Sequence, residues 1–216
     1  MIQSVEFYFD PSCPWCWVTS RWLKEVTDIR GITVAWRPFS LALKNEELVE
    51  SSHEKTPYAK EHRSAHRVLR LIESAVEKYG ENTRFDLYSA IGEAYHVHKK
   101  DTLFTDELIS DAIAPFNYDL SLETLDDIAY DRDLQGHLDN AISVAGNDTG
   151  VPLIIFVHED ETKIGYFGPV ITDLPETDES LAMWDGLVKL ASVKNFYELK
   201  RTRSVDANTL STQRLL

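Results

Sequence analysis

The stretch Val5-Glu6-Phe7-Tyr8-Phe9-Asp10-Pro11-Ser12-Cys13-Pro14-Trp15-Cys16-Trp17 changes its periodicity halfway along, and that change decides how the chain folds. Up to Phe9, apolar Val5, Phe7 and Phe9 alternate with their neighbours, which reads as a strand over Ser4–Asp10. Asp10-Pro11-Ser12 breaks the pattern. From Pro14 to about Asp28 the apolar residues Trp15, Val18, Trp22, Leu23 and Val26 recur near a helical period, and Gly31 ends the element. Pro14 suits a first helical turn, where its missing N–H costs nothing. Two cysteines three positions apart at such a helix start can close a disulfide with each other. The first lies where unpaired backbone N–H groups and the positive end of the helix dipole favour a thiolate.

Working outward, Ile32–Trp36 is a second strand, stopped at Arg37-Pro38. A β–α–β unit with so short a connection predicts parallel neighbouring strands and a right-handed crossover. The pattern is then helical almost throughout, over 46–50, 57–79, 85–98, 105–114, 122–128 and 131–144. Thr105 and Ser121 mark starts, while Gly80, Asn117 and Gly146 mark stops. Strand signals return at 151–157 and 164–167, an antiparallel hairpin, followed by Gly168-Pro169 as a break and a helix over 178–192. The polar tail from Thr202 is expected to fray. The predicted organisation is a core of 1–40 and 148–200, a helical insert of 41–147, and a C-terminal tail of 201–216.

With 216 residues and a net charge of −14, the chain can bury a sizeable core and is strongly acidic. From Asp101 to Asp148 there are 12 acidic residues against one basic, Arg132. That balance argues against nucleic acid or an anionic membrane as partner. The acidic run reads first as a solvated helical face, and second as a docking surface. No apolar run approaches membrane-spanning length, and no leader pattern precedes the first strand. A lone CxxC pair in that setting points to a reducing, cytoplasmic compartment in which a dithiol cycles.

Other readings of CxxC need stating. Half of a zinc site would need a second close-spaced pair of ligands. The remaining soft ligands are His53, His62, His66, His96, His98, His137 and His158, and although His62 and His66 can share a helical face, no second thiolate pair exists. No metal is therefore expected. An inert disulfide is the other alternative. Gly150-Val151-Pro152, opening a strand after the helices, is where thioredoxin-like folds carry an X–cis-Pro opposite the nucleophilic cysteine, and Val151-Pro152 is expected to be cis. The order β–α–β, helical insert, β–β–α with CxxC at the first helix start is the plan of an α/β thioredoxin-like fold of the DsbA branch with a large all-α insert.

Several stretches carry a closer likeness. Phe9 through Trp22 (FDPSCPWCWVTSRW) resembles the mycothiol-dependent nitroreductases of actinobacteria. So do Ser40-Leu41-Ala42 with Asn45, Leu87-Tyr88-Ser89-Ala90 with His96, Phe167-Gly168-Pro169-Val170, and Phe196 through Arg203 (FYELKRTR). The resemblance spans nearly the whole chain and is loosest in the acidic half of the insert. It implies a dithiol reduced by mycothiol as cosubstrate, with no tightly bound cofactor, and reduction of nitro compounds, small disulfides or peroxide-derived species. Cys13 would be the attacking thiolate and Cys16, one turn in, the resolving thiol. Pro14, Trp15, Val151 and Pro152 would form the active-site loops.

Trp15 offers a flat face beside the sulfur for an aromatic acceptor, or else packs inward. Asn45, Tyr58 and His96 fall in stretches similar to the family's site lining. The two former can hydrogen-bond a substrate or the thiolate, and His96 can supply a proton near neutral pH. His62 and His66 are explained by a helical face, and Arg21 and Lys24 by solvation. One departure concerns proton transfer. Thioredoxins carry a buried acid six positions before the first cysteine, where this chain has Phe7, so a relay would have to use Asp10 or a group of the insert. Two alternatives remain: an FrnE-like protein-disulfide oxidoreductase or isomerase, and a non-enzymatic redox-sensing adaptor. Homodimerisation also stays open.

Overall fold

The computed structural model describes residues 2–51, 54–98 and 103–216. His53 and Asp101, named above, lie outside them. The elements follow one another as β1 (Ile2–Phe9), α1 (Pro14–Arg30), β2 (Thr33–Pro38), α2 (Leu41–Lys44), α3 (Ala59–Tyr79), α4 (Asn82–His96), α5 (Asp106–Ile113), α6 (Asp131–Ala145), β3 (Leu153–His158), β4 (Lys163–Phe167) and α7 (Thr177–Ala191). Short 3-10 turns occupy Leu122–Asp126, Ile128–Tyr130 and Thr209–Leu215. The sheet runs β2-β1-β3-β4. Two compact units divide the chain, one of Met1–Tyr8, Pro14–Ala35 and Ala141–Leu216, the other of Phe9–Cys13 and Trp36–Asn140.

In the first unit β1 pairs antiparallel with β3, setting Val5 against Phe156 and Phe7 against Ile154. β3 in turn pairs antiparallel with β4, as the hairpin pattern predicts. Aromatic rings dominate the packing. Trp184 of α7 lies 6.2 Å from Trp22 of α1 and 6.0 Å from Phe156. The buried indole of Trp22 donates to Ser180 O at 3.2 Å, so no polar atom of this cluster is stranded. Gly165 is needed where it stands, since a Cβ there would come within 3.0 Å of Ala145 Cβ.

The tail departs from expectation. It is not frayed: its last turn is anchored by Thr212, whose buried hydroxyl accepts from Trp17 Nε1 at 3.0 Å, and by Arg214, which grips Glu25 at 2.8 and 3.0 Å. Polar composition hid a hydroxyl and a guanidinium that each meet a group of α1. Arg21 is likewise not solvated but buried, its guanidinium 4.4 Å over the Trp17 ring.

In the second unit α3 packs against α2, α4 and the 3-10 turns at Leu122–Asp126 and Ile128–Tyr130. The predicted helix over 46–50 is absent. A single turn forms instead at Leu41–Lys44, capped by Ser40 Oγ accepting from Leu43 N at 3.1 Å, and Glu46, at φ 56, turns the chain out of it. The stretch 122–128 is two 3-10 turns, because the Asp127 side chain accepts from Ala129 N at 2.9 Å and restarts the chain there. In the same unit, buried Arg84 meets buried Glu73 through two bonds of 2.8 and 2.9 Å.

Candidate active site

The CPWC motif runs from Cys13, in the second unit, into Pro14–Cys16 at the head of α1 in the first. Both cysteines are thiols rather than a disulfide. No acidic residue occupies the first turn of α1, so its N-terminal field is not cancelled locally. Cys13 keeps 8% exposure and Cys16 none. Attack from solution therefore favours the first sulfur on access alone.

Within the first unit Val151-Pro152 is cis, as its position at the strand start suggests, and so is Gly168-Pro169, which reads in sequence only as a break. The two are tied together. Gly168 N donates to Pro152 O at 2.7 Å, and Thr19 Oγ1 of α1 donates to Pro169 O at 2.8 Å. Gly168 has φ 102, a conformation that favours glycine. Trp15 is half-buried, and the Arg203 guanidinium lies 4.8 Å over its ring.

Within the second unit the turn before Cys13 is held from several sides. Asp10 has no exposure; Oδ1 accepts from Ser12 N at 2.8 Å and Ser12 Oγ at 2.6 Å, and Oδ2 from Leu41 N at 2.8 Å. Burial pushes its carboxyl above the usual carboxylate range, against the pull of those donors. Cys13 N donates to Asp10 O at 3.1 Å, closing the turn. His96, 6% exposed, donates from Nε2 to Pro11 O at 2.8 Å. His96 thus holds the carbonyl of the residue two before Cys13. Asn45 and Tyr58 meet through other groups: Asn45 Nδ2 donates to Glu47 Oε2 at 3.4 Å, that oxygen bonds His62 Nδ1 at 2.6 Å, and the Tyr58 ring lies 6.3 Å from the His62 ring. Tyr58 itself is 62% exposed.

His66 escapes the sequence reading, in which it looks like a surface helix residue, whereas Asp10 enters that reading only as a stand-in for the missing relay acid. In fact His66 is buried, with Ser40 Oγ 2.8 Å from Nδ1 and Asp131 Oδ1 2.9 Å from Nε2. The order Ser–His–Asp has the outline of a hydrolytic triad. It cannot work as one, because the Ser40 hydroxyl is fully buried and already accepts the capping bond of α2. Ser40 therefore donates to Nδ1, and Nε2–H donates to Asp131, which Arg70 also grips at 2.6 and 2.7 Å. The only signal for this network is the i, i+4 spacing of His62 and His66.

Burial lowers the His66 pKa against the Asp131 hydrogen bond, with Arg70 adding to the fall and Asp10 opposing it. A neutral His66 in the fold and an ordinary one in the unfolded chain means that the unfolded state binds more protons below about pH 6.5. Stability is therefore fully present above that pH and is lost as pH falls. Urea titrations at about pH 7.5 and 5.5 should show a loss of stability from this one group as pH falls, and His66→Gln should flatten it. Parallel losses in both proteins would refute the assignment.

A CxxC at a helix start, a cis-proline at the opening of β3 and the sheet order β2-β1-β3-β4 define a thiol-dependent oxidoreductase of thioredoxin-like, DsbA-branch fold. The chain belongs to the Rv2466c-like family, the mycothiol-dependent nitroreductases, whose model matches residues 12–201. It is 28% identical over 217 residues to the uncharacterized protein Rv2286c of Mycobacterium tuberculosis, covering 99% of this chain and 88% of that one. Among solved structures it is similar to the cytosolic disulfide reductase DsbM of Pseudomonas aeruginosa, with 15% identity, TM-score 0.54, and 87% and 99% of the two chains covered. A probable DsbA oxidoreductase of Streptomyces coelicolor aligns at 16% identity and TM-score 0.55 over 94% of each chain. A putative protein disulfide isomerase of Nitrosomonas europaea gives 11% identity and TM-score 0.56 over 87% and 99%. Among the described residues no helix is long and apolar enough to cross a membrane.

Proposed function

We propose that the chain is a cytoplasmic dithiol reductase that takes electrons from mycothiol and passes them to nitro compounds, small disulfides or peroxide-derived species. In the oxidised protein a mycothiol thiolate attacks Cys13 Sγ, the Cys13–Cys16 bond breaks, and Cys16 leaves as thiolate. A second mycothiol attacks the mixed disulfide, releasing Cys13 as thiolate together with mycothiol disulfide. The reduced pair then gives two electrons to an acceptor and re-forms its own disulfide, its two protons passing to the acceptor or to water. Pro14, Trp15, Val151 and Pro152 form the loops that present the sulfur. The core of 1–40 and 148–200 carries the dithiol, while the insert of 41–147 carries Asn45, Tyr58 and His96 as contacts for thiol or acceptor.

The single observation that carries this reading is the family match over residues 12–201, on a chain whose two cysteines are thiols at the start of α1. The fluorescence of Trp15 and Trp17, which flank Cys16, gives a direct assay. Mycothiol should reduce the oxidised protein faster than glutathione or thioredoxin at equal thiol concentration. Faster reduction by either rival would remove mycothiol from the assignment while leaving the dithiol in place.

A further inference from the structure

The first unit holds a segment whose chemistry the reading above does not use. Residues 197–207 run without helix or strand between two anchors. At one end Tyr166 Oη donates to Phe196 O at 2.9 Å. At the other, Asn208 N donates to Thr172 O at 2.7 Å, Asn208 Nδ2 to Asp173 Oδ1 at 2.7 Å, and Leu174 N to Ser211 Oγ at 2.9 Å. The segment is therefore a strap pinned at both ends, with Thr212 fastening its far anchor to Trp17 of α1.

From the middle of the strap the exposed Arg203 guanidinium reaches 4.8 Å over the ring of Trp15, the residue between the two halves of the motif. Its electrostatic setting differs from that of the ion-paired arginines. Arg30, Arg63, Arg67, Arg70, Arg84 and Arg214 each sit on a carboxylate, as expected in a chain of net charge −14. Arg203 does not. Among the described residues the Trp15 ring is its one partner. A guanidinium lying against an aromatic face keeps its N–H donors at the edge of the stack, pointing outward in the plane. Here that puts a positive, donor-rich group beside a half-buried indole, two residues along the chain from Cys13.

Resting on the thiol-exchange reading, we propose that Arg203 is a specificity-determining residue, selecting acceptors with a negative charge or anionic oxygen on an aromatic ring. The ring of such an acceptor meets Trp15 and its anionic group meets the guanidinium. The negative charge that builds on nitro oxygens during reduction would be met by the same group. A neutral aromatic acceptor would use Trp15 alone.

Two aromatic disulfides test this in the fully reduced protein. Dithiobis(nitrobenzoate) carries carboxylates, and dithiodipyridine is neutral. With either, the Cys13 thiolate attacks one aryl sulfur and expels an aryl thiolate. Cys16 then attacks Cys13 Sγ and expels the second, so the protein is oxidised by two electrons and each reagent yields two equivalents of a chromophoric product, the thionitrobenzoate thiolate or the protonated pyridinethione. Arg203→Ala should slow the bimolecular reaction with dithiobis(nitrobenzoate) about three- to tenfold, the scale of one charge lost at contact range. It should leave the dithiodipyridine rate within about twofold, while added salt should narrow the difference between wild type and variant with the anionic reagent. Arg203→Lys should keep most of the preference. Arg201→Ala, on the same exposed strap, controls for overall charge and should keep it too. Equal slowing with both reagents, no change with either, or an equal effect of Arg201→Ala would each overturn the role of Arg203 and leave Cys13 as nucleophile. Failure of the wild-type dithiol to react with either reagent would instead overturn the Cys13 reading, and Arg203 with it.

Discussion

Cys13→Ser should lower turnover in a mycothiol-coupled assay by at least about a thousandfold, to the uncatalysed rate, because it removes the atom through which both half-reactions pass. Cys16→Ser should fail differently. With Cys13 intact the first displacement still occurs, so one equivalent of aryl thiolate leaves per protein and a mixed disulfide accumulates, visible as a mass adduct on Cys13. External mycothiol can then release it, leaving a slow monothiol cycle. The asymmetry follows from access: 8% of Cys13 is exposed and none of Cys16, so the inner thiol reaches only what is already bonded to its neighbour. An adduct on Cys16 in the Cys13→Ser protein, or comparable residual activity in the two variants, would reverse the assignment. Loss of both activities together with loss of the folded melting transition would mean that the substitution acted on packing, so the melting curve belongs in the same experiment.

Much of this site was readable before any coordinates, for physical reasons that differ between residues. β1 and α1 were legible because the period changes from two to 3.6 across only three residues, Asp10-Pro11-Ser12. The cis bond at Val151-Pro152 followed from where a proline opens a strand in such a fold, whereas Gly168-Pro169 carried no comparable cue and its cis geometry was invisible. Lost altogether were groups whose state depends on what packs against them. His66 presents the same letter whether its helix faces water or, as it does, Ser40 and Asp131. Asp10 reads as a turn former and a stand-in for a relay acid, and only its burial and its bond to Leu41 N make it a brace for the residues before Cys13. The one-turn helix at Leu41–Lys44 was missed for a related reason. Four residues cannot hold a helix by propensity, and it stands on the Ser40 cap and on packing against α3. The anchored tail belongs with these, since Thr212 and Arg214 matter only through Trp17 and Glu25.

Arg84→Met is expected to be the most damaging single change outside the dithiol. Arg84 and Glu73 are 2% and 7% exposed and meet in a two-pronged pair; Arg84 Nη1 also donates to Trp36 O at 3.2 Å and contacts Glu81, while His137 Nε2 lies 3.2 Å from Glu73. Removing the guanidinium leaves a carboxylate buried with only His137 beside it, which costs about 3–5 kcal/mol and about 6–20 °C in Tm for a chain of this size. The pH dependence identifies the cause. Burial raises the Glu73 pKa, but the bonds from His137 and Arg84 outweigh it and hold the carboxyl below its ordinary value. In wild type that contribution is present above the ordinary carboxylate pKa and disappears as pH falls. Without Arg84, burial dominates and the folded pKa rises, so the same carboxyl destabilises the fold at neutral pH and less so once protonated. The stability gap between the two proteins should therefore narrow as pH is lowered from about 8 to 5. Replacing both partners, as Arg84→Met with Glu73→Leu, should recover much of the loss, because neither charge is then left buried alone; recovery stays incomplete because Trp36 O loses the bond from Arg84, whereas Glu81 keeps Arg37. A pH-independent gap, or a double variant less stable than Arg84→Met, would show that packing volume rather than the stranded charge sets the cost.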